Sequence, residues 1–268
     1  IDEALRKSTL GAILSNQKIQ AYNNDSTAIV FDMSSVFLGD NKKMSPFDRN
    51  SIYGMYNRTE NYQSDCSYIS QIKAFKDNVS IKSCLSYTFS VSNSQGASLI
   101  KDRPFTAEMT RSIMLLKEKP YRPRMADYRI GVFFTGREQL GEGAKTTAPV
   151  YYANRWDIQP SDTAAYLRGE KVKPTKQIVF YIDNTFPEKW KPYLREGVTQ
   201  WNELFEQIGF KDVVAAKDFP TDDPEFDPDN IKYSCVRYAP SSIENAMGPS
   251  WVDPRSGEIL NASVYLYH

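Results

Sequence analysis

The sequence predicts an α+β protein: a strand-rich N-terminal module followed by a mixed twisted sheet carrying one long helix. Three observations predict it. In NVSIKSCLSYTFSVS (78–92), Val79, Ile81, Leu85, Tyr87, Phe89 and Val91 share one parity, with mostly Ser and Lys between them. That period of two marks a strand with one wet face. Residues 177–219 read as strand, long helix, strand, the pattern of a parallel crossover. Between the two parts, SDTAAYLRGEKVKPTK (161–176) reads as a short helical turn and a Lys- and Pro-bearing linker. The expected layout is therefore 1–160, a linker at 161–176, and a second part at 177–268.

The totals narrow the function classes. The chain has 268 residues, 33 Lys and Arg against 33 Asp and Glu, and 41% hydrophobic residues. That length and composition suit one large domain or two ordinary ones with a real core. A net charge of zero argues against nucleic-acid binding, which needs a basic excess or stripe. No apolar run approaches the roughly 18 residues of a membrane span. The chain opens on Ile1, with no initiator Met and no signal-like region, and reads as an internal or processed segment. Cys66, Cys84 and Cys235 lack C-x-x-C spacing, which argues against a structural zinc site. Buried free thiols are the expectation, with a Cys66–Cys84 disulfide as the alternative. The one histidine is His268. A three-histidine zinc site cannot be built from this chain, nor a triad using an interior histidine.

In the first part, residues 1–15 carry Leu5, Leu10, Ile13 and Leu14 at helical spacing and predict a short helix. TAIVFDMSSVFLGD (27–40) reads as a buried strand running into a turn at Gly39-Asp40. The polar stretch 41–70 has no clean period and reads as loop with room for a short helix. After 78–92, SNSQG is a turn and 106–116 a partner strand. KEKPYRPRMADYR (117–129) is a proline-punctuated connection. Strands at 129–136 and 149–158 flank a Gly-bearing loop at 137–148. No catalytic constellation appears. Tyr53, Tyr56, Tyr62 and Tyr68 can line a ligand surface, although packing on the sheet is the simpler reading.

In the second part, QIVFYID (177–183) is a short apolar strand. Asn184 and Thr185 offer capping groups, and Pro187 suits a first helical turn. Trp190, Tyr193, Leu194, Val198, Trp201, Leu204, Phe205 and Ile208 recur as one helix face about 19 residues, or roughly 30 Å, long. Pro192 leaves the start irregular and Gly209 stops the helix. KDVVAAKDF (211–219) and IKYSCVRYAP (231–240) are strands. The loop between them carries Asp222, Asp223, Glu225, Asp227 and Asp229. It can hold Ca²⁺ but lacks helix-loop-helix calcium spacing, so a solvated loop is preferred. Asp253-Pro254-Arg255-Ser256-Gly257 is the turn of a hairpin.

The blocks YIDNTFPEKWKPYLREGVTQWNELFEQIGF, AKDFPTDDPEFDPDNIKYS and NAMGPSWVDPRSGEIL, in this order and spacing, closely resemble a family of large bacterial zinc-dependent metallopeptidases of the metzincin-like type. The resemblance covers about 177–268. ALRKSTL, VFLGD and PYRPRMADYRIGVFF resemble, less specifically, the accessory domain preceding the peptidase domain there. The resemblance implies a partial metzincin-like α/β subdomain and a parent protein that hydrolyses peptide bonds with zinc-activated water. It implies a secreted, periplasmic or outer-membrane-associated bacterial location. It places the zinc motif H-E-x-x-H-x-x-G-x-x-H beyond His268, so no catalytic or metal residue is carried over and this segment alone is expected to be inactive. It also implies an antiparallel edge strand at about Met247 to Asp253 that pairs with extended substrate. Gly248, Pro249, Ser250, Trp251 and Val252 are then the substrate-binding rim, with Pro249 costing one donor.

Two other readings stay open. Residues 1–160 can be a non-catalytic peptide- or glycan-binding module, or a segment that docks over the edge strand near Trp251. A sheet lacking its later helices is also expected to expose an apolar face, covered by dimerisation or interdomain packing.

Overall fold

A computed structural model describes residues 13, 15–41, 44–47, 56–139 and 148–268. The helix expected at 1–15, Tyr53 and most of the 137–148 loop lie outside the described residues. Strand far outweighs helix, and the chain divides into two compact units, 1–113 and 114–268.

The first unit opens with a small antiparallel hairpin, β1 (Ile19–Tyr22) and β2 (Ile29–Phe31), whose residues are all exposed. The buried strand expected over 27–40 gives way to β2 and a one-turn helix, α1 (Ser34–Leu38). Asp32 accepts the Ser34 N–H at 2.8 Å and starts the turn. Met33, Val36 and Phe37 then fall on one helical face against Ile81, Ile69 and Val79. β3 (Tyr56–Ala74), β4 (Asn78–Asn93) and β5 (Ser98–Met114) form a three-stranded sheet in that order. β4 buries Ile81, Ser83, Leu85 and Tyr87, the parity expected. β3 runs through the stretch expected to be loop. Its register shifts between Gln63 and Tyr68 and again between Ile69 and Gln71. Each slip moves side chains to the opposite face, so no single period survives.

Of the four tyrosines considered, Tyr62 packs on Tyr87 and donates its hydroxyl to the Leu38 carbonyl, whereas Tyr56 and Tyr68 are exposed. Arg111 ties the same corner together through the Phe37 and Met44 carbonyls at 2.9 and 3.0 Å.

The second unit contains β6 (Phe134–Gln139) paired with β7 (Ala148–Ala153), and α2 (Thr163–Leu167). It also contains β8 (Ile178–Ile182), α3 (Lys191–Thr199), α4 (Asn202–Gln207), β9 (Val214–Asp218) and β10 (Ser234–Ala239). The last strands are β11 (Asn245–Met247), β12 (Ser250–Val252), β13 (Ile259–Ala262) and β14 (Val264–Tyr267). Five of them form a sheet in the order β11-β14-β10-β8-β9. β9, β8, β10 and β14 run parallel, and β11 is antiparallel at the edge. The 161–176 stretch belongs to this unit. Asp162 caps α2, and Val172, buried with Ala165, bonds to Gly209 and Lys211 on the far side of the helices.

The single long helix expected is broken at Gln200–Trp201. Thr199 bonds back to the Arg195 carbonyl at 2.9 Å, and Asn202 turns inward to bond both the N–H and C=O of Val214 at 2.8 Å. Back-bonding of this kind bends helices. The apolar positions also split. Trp190, Leu194, Val198 and Phe205 pack on the sheet, but Tyr193, Trp201, Leu204 and Ile208 are more than half exposed. On the other sheet face, Phe226 of the acidic loop packs on Tyr181 and Tyr233. That loop is a series of turns in which Asp223 and Asp227 accept the N–H groups of Glu225 and Asp229.

All three cysteines are free. Cys235 is buried, and burial pushes its thiol up to about 12. Cys84 is half-buried, and Cys66 is exposed rather than buried because it falls within the β3 register shift.

Ile182 is fully buried among Phe186, Val236 and Leu194. Ile182→Ala is expected to cost about 2–5 kcal/mol by chemical denaturation. Ile72→Ala, at a 62% exposed position, should change stability by less than about 0.5 kcal/mol.

Candidate functional site

β11 and β12 lie on one continuous antiparallel register with β14 and β13. Asn245 faces Tyr267, Met247 faces Tyr265, Ser250 faces Ala262 and Trp251 faces Asn261. The ladder divides into two named pieces at Gly248 and Pro249. Ser263 still donates to the Pro249 carbonyl at 3.1 Å, so Pro249 and Ser263 are a hydrogen-bonded pair. The return bond cannot form because proline has no N–H. Hydrogen-bonded pairs alternate along an antiparallel ladder. Asn245, Met247, Pro249 and Trp251 therefore turn their main-chain groups inward, and Ala246, Gly248 and Ser250 turn theirs to the free edge.

Two bonds support that parity. Ala262, opposite Ser250, points its N–H away from β12, to the Ser234 hydroxyl at 3.1 Å. Ala246 gives its outward N–H to its own neighbour, Asn245 Oδ1, at 2.8 Å. The missing donor of Pro249 thus lies on the paired side and takes nothing from the free edge, a correction to the sequence reading. The edge strand itself is Asn245–Met247, with its continuation in β12, rather than one strand from 247 to 253. Gly248, Pro249, Ser250 and Trp251 are exposed and Val252 is half-buried. Outward main-chain groups alternate with exposed Met247 and Trp251 side chains, which suits an extended peptide better than a compact ligand.

The hairpin that carries this edge is fixed at its turn. Asp253, Ser256 and Glu258 are each no more than 5% exposed. Arg255 forks onto Asp253, with contacts of 2.8–3.2 Å, and its guanidinium also reaches the Lys117 carbonyl at 2.7 Å. Lys117 Nζ reaches Glu258 at 2.7 Å and Asp157 at 3.7 Å. The bond to Glu258 raises the Lys117 pKa, and the Arg255 fork holds Asp253 below the usual carboxylate range. Arg155 inserts its main chain beside the turn, donating to Gly257 at 3.0 Å and accepting from Ile259 at 2.9 Å. Its guanidinium stacks 4.2 Å from the Tyr121 ring centroid. Gly257 has φ +75°, and a Cβ there would meet the Ala153 carbonyl at 2.7 Å, so only glycine fits. Deeper in, Asn261 bonds the Ile231 and Tyr233 carbonyls at 2.8 Å. Sequence reading found the turn but missed Lys117, Arg155 and Tyr121. The signal for Lys117 and Tyr121 was a basic, proline-punctuated segment with no periodicity, and Arg155 sits in the stretch read as a strand.

Among the described residues, no group of three or more His, Cys, Asp or Glu is placed to hold a metal ion. The acidic loop offers none for Ca²⁺, and His268 stands edge-on to Trp190 with ring centroids 4.9 Å apart. No helix among the described residues is long and apolar enough to cross a membrane.

Fold and site together define a β-rich α+β chain whose second unit presents a free antiparallel sheet edge. Residues 1–161, more than half of the chain, match a domain of unknown function, DUF5117, and the chain belongs to that family. No curated protein and no solved structure matches it. The match runs into the second compact unit, so Lys117 and Arg155 of the family region contact the hairpin turn, with Tyr121 against Arg155 and Asp157 beside Lys117.

Lys117→Met is expected to leave the Glu258 carboxylate buried and unpaired and to cost about 1–3 kcal/mol. Adding Glu258→Leu should restore most of that loss, read as coupling in a double-mutant cycle. Asp253 has a lowered pKa, so its contribution is present above the unfolded aspartate value and fades as pH falls. Thermal stability should drop as pH falls below about 4, and Asp253→Asn should flatten part of that drop.

Proposed function

We propose that the second unit is the N-terminal part of a zinc-dependent metalloendopeptidase domain, and that its β11–β12 edge seats an extended peptide substrate. The observation that carries this reading is the edge formed by β11, the one antiparallel strand of an otherwise parallel sheet, and its continuation into the β12–β13 ladder, along which Ala246, Gly248 and Ser250 turn main-chain groups outward. The family resemblance implies an antiparallel edge strand in this part of the chain, and the direction of β11 supports that reading. An added strand would gain main-chain bonds from alternate residues, with side-chain preference set by the surface around Met247 and Trp251. This chain would supply substrate alignment, and zinc with its chemistry would come from residues outside this sequence. A secreted or periplasmic setting follows from the same proposal.

Two measurements test it. A fluorescent extended peptide should bind the chain, and Ser250→Pro, which deletes an outward N–H, should weaken binding about tenfold or more while Ser250→Ala leaves it intact. A polypeptide continuing past residue 268 in its natural reading frame should bind zinc stoichiometrically and show chelator-sensitive cleavage. Peptide binding with neither zinc nor cleavage would instead favour a non-catalytic peptide-binding module.

A further inference from the structure

We infer that Gly248 forms a specificity-determining notch in the β11–β12 edge, and that the notch takes an aromatic side chain of the bound peptide. The inference rests on the peptide-edge reading above and names the class of peptide that the edge prefers.

Side chains along a strand alternate between the two faces of the sheet. The register sets Ala246 opposite Leu266 and Ser250 opposite Ala262. Gly248 falls between them beside Val264, whose Cγ2 would lie 3.8 Å from a Cβ built on the glycine. Met247, Pro249 and Trp251 belong to the opposite face. The edge is therefore two-sided. One face carries the exposed Met247 and Trp251 side chains, and the other carries only alanine, glycine and serine. Behind these small residues stand Val264 and Leu266, which pack against the cluster of Ile182, Phe186 and Val236 together with Leu194 and Val198 of α3.

The fold does not ask for glycine at 248. Its φ is not positive, and a Cβ there would make only an ordinary van der Waals contact. Gly257 in the same hairpin differs on both counts. A glycine inside a strand weakens it, and marks a bulge, a bend or a close approach by a ligand or another backbone. The register runs from Met247 to Ser250 without a shift, so a bulge is not the reason.

Gly248 turns its main-chain groups to the edge, so the residue of an added strand that pairs with it makes both main-chain bonds. That residue's side chain shares the face of Ala246, Gly248 and Ser250, where no side chain on 248 stands in its way. An aromatic ring fits there, covering the bare glycine main chain and reaching Val264 together. Aromatic residues across from an edge glycine stabilise strand pairs in this way. The neighbouring side chains on this face carry no charge, so a charged residue would lose hydration without gaining a partner.

The test is fluorescence anisotropy with labelled, neutral peptides of Thr and Ser that carry Phe, Leu or Thr at one central position. The Phe peptide should bind about fivefold or more tighter than the Thr peptide, with Leu between them. Gly248→Glu places a carboxylate where the ring would lie and should reduce the Phe advantage to less than about twofold. Affinity for the Thr peptide and the melting temperature should hold in that variant, which shows that its fold and its edge are kept. A Phe peptide that binds no better than the Thr or Leu peptide, or an advantage that survives Gly248→Glu, would overturn the notch while the edge reading stands. If none of the peptides binds, the edge reading fails and the notch with it.

Discussion

Much of the second unit depends on compensating two carboxylates buried at a hairpin turn. Asp253 and Glu258 stand five residues apart and are 2% and 5% exposed. A buried carboxylate without a partner is among the most destabilising features a fold can carry. Asp253 is satisfied locally by Arg255. Glu258 cannot be, because the short turn has no second cation, and its partner comes from Lys117, 141 positions earlier. That requirement holds Lys117 at the turn, and Arg155 pairs its main chain with Gly257 and Ile259. The segment joining the long sheet of the first unit to the sheet of the second is therefore part of the second unit.

This explains why a boundary drawn from composition and one drawn from contacts differ. Proline, lysine and a missing period at 161–176 signal a linker, yet Val172 is buried and bonded on both sides to the segment that follows the helices. The family match ends at 161, while the contact boundary falls after 113. A sequence family records where similarity is continuous. A compact unit records where buried contacts are dense, and here long-range ion pairs and bridges decide it.

The parts legible in the sequence are those whose burial follows a local period. β4 shows its buried parity at Ile81, Ser83, Leu85 and Tyr87, with Ile81 packed on α1. β8 and β10 are short apolar runs at the sheet centre, and the turn at 253–257 announces itself by composition. What stayed hidden depends on partners distant in sequence. β3 takes its extended form from pairing with β4, and its two register shifts erase the alternation. The helix face was over-read because eight apolar residues at helical spacing look like one stripe, whereas the sheet has room for only half of them. The break at Gln200–Trp201 rests on Asn202 finding Val214, a bond that no local pattern encodes.

The candidate site was half legible for the same reason. Residue types along 247–252 suggested a strand, but which main-chain groups face outward depends on the parity of the ladder. That parity follows from Ser263 bonding to Pro249. A proline at position 248 or 250 would have removed an outward donor and blunted the edge, a common defence of exposed strands. At 249 it interrupts only the inner ladder and leaves the outer row of Gly248 and Ser250 intact. An exposed edge is an aggregation hazard unless something uses it, and this one lacks the outward charges that natural edges employ for protection. Its outward main-chain groups at Gly248 and Ser250, held in place by a turn that costs two buried carboxylates, are better explained as a template for an incoming strand than as an unguarded border of the sheet.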